Sequence, residues 1–242
     1  MKDTLFTVKT NRKIAKITYE MTLVGDTEGI RCGQFVNIKI EGFFLRRPIS
    51  VCNIEGNTLT LIYKTVGEGT AVMAEMGEGT ELTVLTGLGN GYNLEKSGHA
   101  PLLIGGGAGV PPMYYLAKLL VKEGKKPTVI LGFGKADEVF FKEEFEALGL
   151  KVLVTTVDGS FGIKGFVTDA MDGVDYTYFY TCGPEPMLKA VYDKTTTSGQ
   201  FSFEERMGCG FGACMGCTCK TKYGNKRICR DGPVLEKEEI IW

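Results

Sequence analysis

Residues 101–124 read PLLIGGGAGVPPMYYLAKLLVKEG, and the order of events in them decides the fold. Residues 101–104 are a short apolar run of the kind that fills a buried strand. Residues 105–112, GGGAGVPP, make a tight turn. Residues 113–124 then repeat apolar side chains at helical spacing until Gly124 stops them. Strand, glycine turn and helix in direct succession open a parallel α/β sheet with right-handed crossovers.

Working outward, the alternation continues downstream. Residues 127–134, 151–157 and 176–182 predict further strands, and residues 138–149, 168–173 and 184–196 predict helices between and after them. Upstream, residues 1–97 read differently. Short β-branched and aromatic runs at 13–21, 33–40, 47–54, 58–66 and 80–85 predict strands, with Glu55-Gly56-Asn57 as a hairpin turn. Gly69-Thr70 opens a short helix over 71–76 that Gly77 ends. Strands at this spacing predict a small antiparallel barrel. The expected organisation is a barrel over 1–97, an α/β domain over 98–200, and a C-terminal segment over 201–242 that carries a cysteine-rich loop and the tail DGPVLEKEEIIW.

The bulk numbers exclude several classes. Hydrophobic residues make up 43% and charged residues 24%, the balance of a core-forming chain. The net charge of −1 gives no electrostatic reason to expect nucleic acid as a partner. The most apolar stretch, residues 100–121, is broken by three consecutive glycines and two prolines, so no spanning helix is expected. The start, MKDTLFTVKTNRK, lacks the apolar region of a signal peptide, so the eight cysteines are read as belonging to a reducing cytosol rather than to disulfides.

The cysteine spacing is the most specific signal. Cys209, Cys214 and Cys217 follow C-x4-C-x2-C, and Cys229 completes a set of four. That is the plant-type spacing for a [2Fe–2S] cluster, in which thiolates converge on two irons. Gly208, Gly210, Gly212 and Gly216 let the backbone fold around such a group. The competing reading is a zinc site, but zinc favours two C-x2-C pairs and only Cys214/Cys217 has that spacing. Cys219, two residues past Cys217, is a poor simultaneous ligand and reads as a bystander.

Three further motifs are weaker alone. Gly105-Gly106-Gly107 and Gly109 would let backbone N–H groups approach a diphosphate at a helix start, or form a turn without a ligand. The run has Pro112 where the dinucleotide fingerprint has its last glycine. Arg47-Pro48-Ile49-Ser50 at a strand start could hold a phosphate, or be a surface arginine beside a turn serine. Cys182-Gly183-Pro184 follows an apolar strand, where ligands of open α/β sheets bind, or simply marks the strand's end. His99 reads as structural or exposed, and Trp242 as either docked or frayed.

In combination, RPIS, GEGT (67–70), GGGAGVPP and CGP in this order resemble the ferredoxin–NADP reductase superfamily. With the cysteine loop and the following DGPV, the whole chain resembles the electron-transfer subunits of dihydroorotate dehydrogenase B. The resemblance implies an FAD-binding barrel, a nicotinamide-binding domain and a cluster loop. It implies FAD contacts at Arg47, Pro48, Ile49, Ser50, Ile62, Tyr63, Lys64, Gly69 and Thr70. It assigns NAD as a diffusible co-substrate to the Gly105–Gly109 and Cys182–Pro184 turns, and the cluster to Cys209, Cys214, Cys217 and Cys229. Ile49 stands where many of these reductases carry an aromatic ring, and Lys64 where arginine is common. An ammonium cannot make the bidentate contact of a guanidinium.

The implied activity passes electrons from the FMN of a separate dihydroorotate dehydrogenase catalytic subunit, through the cluster and FAD, to NAD+, in pyrimidine synthesis. Two copies of each subunit are expected, and no residue of this chain is assigned as a catalytic base. The alternative is a flavin/iron–sulfur subunit of another NAD(P)H-linked complex, of ferredoxin–NADP oxidoreductase or hydrogenase type. The resemblance leans to NADH; after the second strand of the α/β domain only Lys135 could meet a 2′-phosphate. Arg206 and Lys220 are expected on the face toward the partner.

Overall fold

The computed structural model describes residues 1–242. The first strands are β1 (Lys2–Ala15), β2 (Thr18–Gly25), β3 (Phe35–Ile38), β4 (Arg47–Glu55) and β5 (Thr58–Lys64). Helix α1 (Glu68–Ala74) follows, then β6 (Glu81–Leu88). These six strands close into a barrel in the order β1-β2-β5-β4-β3-β6. Alternation drives it: in β6 the residues Leu82, Val84, Thr86 and Leu88 are buried and those between them are not, the period of a strand with one face on a core. Residues 13–21 are two strands rather than one. They span the turn between β1 and β2, whose register runs from Phe6 opposite Gly25 to Ala15 opposite Thr18.

The second domain contains β7 (Pro101–Gly106), α2 (Val110–Lys122), β8 (Thr128–Phe133), α3 (Lys142–Ala147), β9 (Lys151–Thr156) and β10 (Ile163–Lys164). It continues with β11 (Tyr178–Cys182), α4 (Glu185–Lys194) and β12 (Gly199–Ser202). Strands β7 and β11 are buried along their whole length, as expected for central parallel strands covered on both faces. The second predicted helix is shorter than expected. Phe141 takes a left-handed conformation with φ 66°, so its side chain and that of Phe140 turn into the core instead of continuing a helix. Residues 168–173 contain a single 3-10 turn, Asp169–Met171.

The last segment is not a tail. A hairpin, β13 (Thr218–Thr221) and β14 (Gly224–Arg227), and a one-turn helix α5 (Ile228–Asp231) precede β15 (Val234–Glu236). Strand β15 pairs antiparallel with β12, completing a seven-stranded sheet in the order β10-β9-β8-β7-β11-β12-β15. The cysteine-bearing residues therefore leave the parallel sheet after β12 and return to it at β15.

Three apolar cores tie the parts together. One fills the barrel and includes Phe6, Leu23, Val36, Ile38 and Leu61. A second lies along α2 and takes in Cys52 and Ile62 from the barrel with Leu103, Met113 and Leu120 from the α/β domain. The third joins Phe35 and Leu88 of the barrel, Leu102 and Ile104 of β7, and Cys217, Ile228 and Cys229 of the cysteine segment. No helix is long and apolar enough to cross a membrane.

Candidate functional site

The parallel sheet reverses its strand order between β7 and β11. Ligands of open α/β sheets bind at the C-terminal ends of the strands beside such a point. The two turns predicted to bind a nucleotide are at that place. Gly109 lies against the backbone of Cys182 and Gly183 so closely that a Cβ on it would be 2.1 Å from the Cys182 carbonyl oxygen. Gly107 has φ 51°, the left-handed region that favours glycine.

A cavity of about 470 Å³ opens here, lined by Gly106, Gly107, Gly132, Thr155, Pro184 and Met187 among others. Its residues fit a nicotinamide nucleotide. Glycines form the floor, and the buried Thr155 hydroxyl has no hydrogen-bond partner in the protein. Lys64 reaches in from the barrel: its Nζ is 3.3 Å from the point a Cβ on Gly107 would occupy and 4.0 Å from Glu138 Oε2. Lys64 is thus the barrel's cation in the nucleotide cavity.

The residues expected to contact flavin separate into two groups. Arg47 stacks its guanidinium on Phe43, 4.8 Å from the ring centre, and donates to the Leu45 carbonyl. A Cβ on Gly69 would be 2.2 Å from Arg47 Nε, so the guanidinium lies in the gap that glycine leaves. Thr70 Oγ1 accepts from the N–H groups of Val66 (3.0 Å) and Gly67 (3.2 Å). Phe43, Arg47 and residues 66–70 enclose about 330 Å³, and the cation with free N–H groups of a first helical turn suits a diphosphate.

Pro48 is exposed, and Ile49 and Ser50 are half-buried beside it. Ile62 is buried against α2. Tyr63 points into the barrel core, and its hydroxyl donates to Asn11 Oδ1 at 2.9 Å. Burial pushes the Tyr63 hydroxyl up to about 12. Neither of these two side chains lines the Arg47 or the nucleotide cavity.

The cysteines fall into two pairs. The Cys214 N–H donates to Cys209 Sγ at 3.4 Å, and the Cys229 N–H donates to Cys217 Sγ at 3.4 Å. Two pairs of thiols suit a cluster with two thiolates on each of two irons. Cys217 and Cys229 are 2% and 1% exposed, while Cys214 faces solvent. Burial acts to raise the Cys209 thiol, but N–H groups of Cys214, Phe211 and Ala213 outweigh it and hold it down at about 6, which favours the thiolate a metal needs. Burial and the neighbouring Cys217 and Cys209 thiols push Cys229 up to about 12. The half-buried Cys219 lies outside these pairs, its thiol raised by burial and by Glu205.

A salt-bridged arm fixes the loop. Asp231 Oδ2 accepts from Arg227 N (2.9 Å) and Nε (3.1 Å), and Arg227 Nη1 donates to the Gly212 carbonyl at 3.0 Å. Those N–H donors hold the Asp231 carboxyl below the usual range. Asp231→Asn keeps the shape and removes the charge, so the arm weakens by about 1–3 kcal/mol. We expect faster loss of the cluster's visible absorbance on chelator challenge, with flavin content unchanged.

Phe211 and Met215 are 43% and 55% exposed on the same loop, and Arg206 and Lys220 are exposed nearby. His99 is exposed. Trp242 is docked, 6.0 Å from the Tyr192 ring and 5.8 Å from the Phe203 ring. Phe43, Glu138 and Thr155 carry no local motif and become neighbours of the sites only through the fold.

Residues 204–241 match the family described as "Iron-sulfur cluster binding domain of dihydroorotate dehydrogenase B", and residues 103–193 match "Oxidoreductase NAD-binding domain". The chain is 47% identical to the dihydroorotate dehydrogenase B (NAD(+)) electron transfer subunit of Fusobacterium nucleatum, over 97% of this chain and 96% of that one. It is 44% identical to the same subunit of Bacillus pumilus, over 99% and 98%. Among solved structures, the NADH-dependent reduced ferredoxin-NADP oxidoreductase superposes with a TM-score of 0.90 at 29% identity, covering 98% of this chain and 90% of that one. Phthalate dioxygenase reductase, at 22% identity and a TM-score of 0.67 over 80% of this chain and 64% of that one, shares the fold. The chain belongs to the family of dihydroorotate dehydrogenase B (NAD(+)) electron transfer subunits.

Proposed function

We propose that this chain carries electrons from the FMN of a dihydroorotate dehydrogenase catalytic subunit to NAD+, using a [2Fe–2S] cluster held by Cys209, Cys214, Cys217 and Cys229 and an FAD held by the barrel. A bound flavin exchanges electrons singly with a cluster and pairwise, as hydride, with a nicotinamide, and that conversion is the chemistry it supplies. The observation that carries the reading is the shared core in which Cys217 and Cys229 meet Phe35 and Leu88 of the barrel and Ile104 of the nucleotide sheet. A one-electron centre there borders both cofactor domains.

The chain's own residues do the holding. Arg47 and the N–H groups of residues 68–70 neutralise and orient the flavin diphosphate, with Pro48, Ile49 and Ser50 continuing the contact along β4. Ile62 and Tyr63 keep β5 seated between the barrel core and α2, so that Lys64 projects into the nucleotide cavity. The glycine turn of residues 105–109 and the Cys182-Gly183-Pro184 turn hold the dinucleotide at the strand ends. The barrel (1–97), the nucleotide domain (98–200) and the cluster segment (201–242) are thus divided by cofactor. The exposed face around Cys214, with Phe211, Met215, Arg206 and Lys220, receives the catalytic subunit, and the assembly holds two copies of each subunit in the cytoplasm.

Lys64 gives a prediction. Lys64→Met keeps the aliphatic stem and removes a charge from the cavity wall. The KM for NADH rises about tenfold, the scale of one lost charge-assisted contact of roughly 1.5 kcal/mol, with FAD retained. Steady-state NADH oxidation with a small electron acceptor measures it.

The test of the function is orotate-dependent oxidation of NADH, by this chain alone and then with the catalytic subunit from the same source. Turnover only in the mixture supports the reading. No turnover in a mixture with intact FAD and cluster spectra overturns the pyrimidine assignment. The likeness to the NADH-dependent ferredoxin-NADP oxidoreductase structure then favours the second reading, a flavin/iron–sulfur subunit of another nicotinamide-linked complex.

A further inference from the structure

Only two charged side chains line the nucleotide cavity, Lys64 and Glu138. They come from different domains. Lys64 ends β5 of the barrel, and Glu138 ends a 3-10 turn, Ala136–Glu138, that follows β8. Their charged atoms stand 4.0 Å apart, with the side chains 22% and 29% exposed. A cavity suited to an anionic dinucleotide therefore carries a carboxylate in its wall. That carboxylate opposes an anion unless it has a task of its own.

The protein is built to keep it there. Gly134 leaves room for it: a Cβ on that residue would lie 3.1 Å from Glu138 Oε1 and 3.3 Å from Oε2. Gly107 leaves the matching room for Lys64. The turn is clamped from two sides. The Lys16 N–H of the barrel donates to the Asp137 carbonyl at 3.0 Å, and Lys16 Nζ meets Asp137 Oδ2 at 3.1 Å. The Ala136 N–H donates to Ser160 Oγ at 2.8 Å, on the segment after β9. Lys64 also acts on Glu204, whose carboxyl burial pushes up, but Glu204 lines a separate cleft with Gly183 and Trp242.

We propose that Glu138 is a positioning residue that sets how tightly the nucleotide binds. It holds Lys64 beside Gly107 while the cavity is empty and yields it to the anionic groups of the dinucleotide. The inference rests on the reading of this cavity as the NAD site. When a binding group is engaged elsewhere, apparent affinity falls by the fraction of time the group is free. The pair thus weakens binding without removing the lysine, and a co-substrate that must depart after each turnover departs sooner.

The experiment is isothermal titration calorimetry of the purified holoprotein with NAD+ and, separately, with ADP-ribose, which keeps the diphosphate and lacks the nicotinamide ring. In Glu138→Gln both dissociation constants fall about fivefold, the upper range for a part-exposed ion pair. Lys64→Met raises both. In the Lys64→Met background Glu138→Gln changes neither, because the two residues act as one unit. Unchanged or weaker binding of both compounds in Glu138→Gln overturns the proposal. So does a tightening that survives in full in the Lys64→Met background, since that is direct repulsion. Weaker NAD+ with unchanged ADP-ribose also overturns it and assigns Glu138 to the cationic nicotinamide ring. Glu138→Ala repeats the measurement if the glutamine variant fails to fold. Wild-type protein that holds its FAD and cluster yet binds neither compound overturns the assignment of the cavity, and the proposal with it.

Discussion

Cys217→Ala is expected to abolish partner-coupled turnover while sparing the NADH side of the molecule. Cys217 is 2% exposed and packed among Ile228 and Cys229. Its carbonyl accepts from the Ile228 N–H at 3.1 Å and its sulfur from the Cys229 N–H at 3.4 Å. Alanine leaves the backbone in place and removes one of four thiolates. Cys219 packs against the same core but lies outside the two cysteine pairs, so a bound cluster would be left with three of its four assigned thiolates. Changing residues that only support metal ligands already costs 10–100-fold, and loss of a ligand itself should exceed about a hundredfold. Orotate-dependent NADH oxidation falls accordingly, and the cluster's visible absorbance disappears. Reduction of a small two-electron acceptor by NADH continues, because Arg47 and the nucleotide turns lie on other elements. Loss of both activities together would mean that the cysteine segment also organises the flavin site.

The second large effect is expected at Gly109. A Cβ there would stand 2.1 Å from the Cys182 carbonyl oxygen and 2.6 Å from the Gly183 nitrogen. Both obstacles are backbone, at the end of a fully buried central strand, so neither can swing aside as a side chain would. Gly109→Ala therefore has to spread the two turns that meet at the switch point. Overpacking of this kind costs roughly 1–3 kcal/mol, and the two turns it spreads carry Gly106, Gly107 and Pro184, which line the dinucleotide cavity. Stopped-flow reduction of the bound flavin by NADH should slow at least about tenfold, as expected for a small misplacement of reacting groups. The melting temperature falls, and FAD and cluster content stay the same. Ala108, one residue earlier, is exposed, so Ala108→Ser serves as the control and leaves both readings unchanged.

These sites differ in how much of them could be read without coordinates. The βα alternation, the glycine turns and the C-x4-C-x2-C spacing are local patterns, and they led to the two domains and to the cysteine pairs. What escaped was set by contacts distant in sequence. Residues 234–236 read as part of a tail because three residues carry no periodicity; only their pairing with β12 makes them a strand. Phe140 and Phe141 suited a helix face, yet aromatic contacts with Phe133 and Tyr114 draw them into the core at the cost of a left-handed residue. Lys64 illustrates the same limit at a site. The resemblance implies a flavin contact for it, and only the packing of the barrel against the sheet shows that its Nζ also lies beside Gly107 and Glu138.

Strand β15 has one more implication. Ser202 and Val234 are register partners, so residues 203–233 depart from and rejoin the scaffold at neighbouring points. Asn90, at the end of the barrel, clasps the returning chain through Val234 N (3.0 Å) and the Val234 carbonyl (2.6 Å). In evolutionary and engineering terms the iron-bearing portion is a cassette. Its excision would leave every strand of the seven-stranded sheet in place but would open the core that Cys217, Ile228 and Cys229 fill against the barrel and β7.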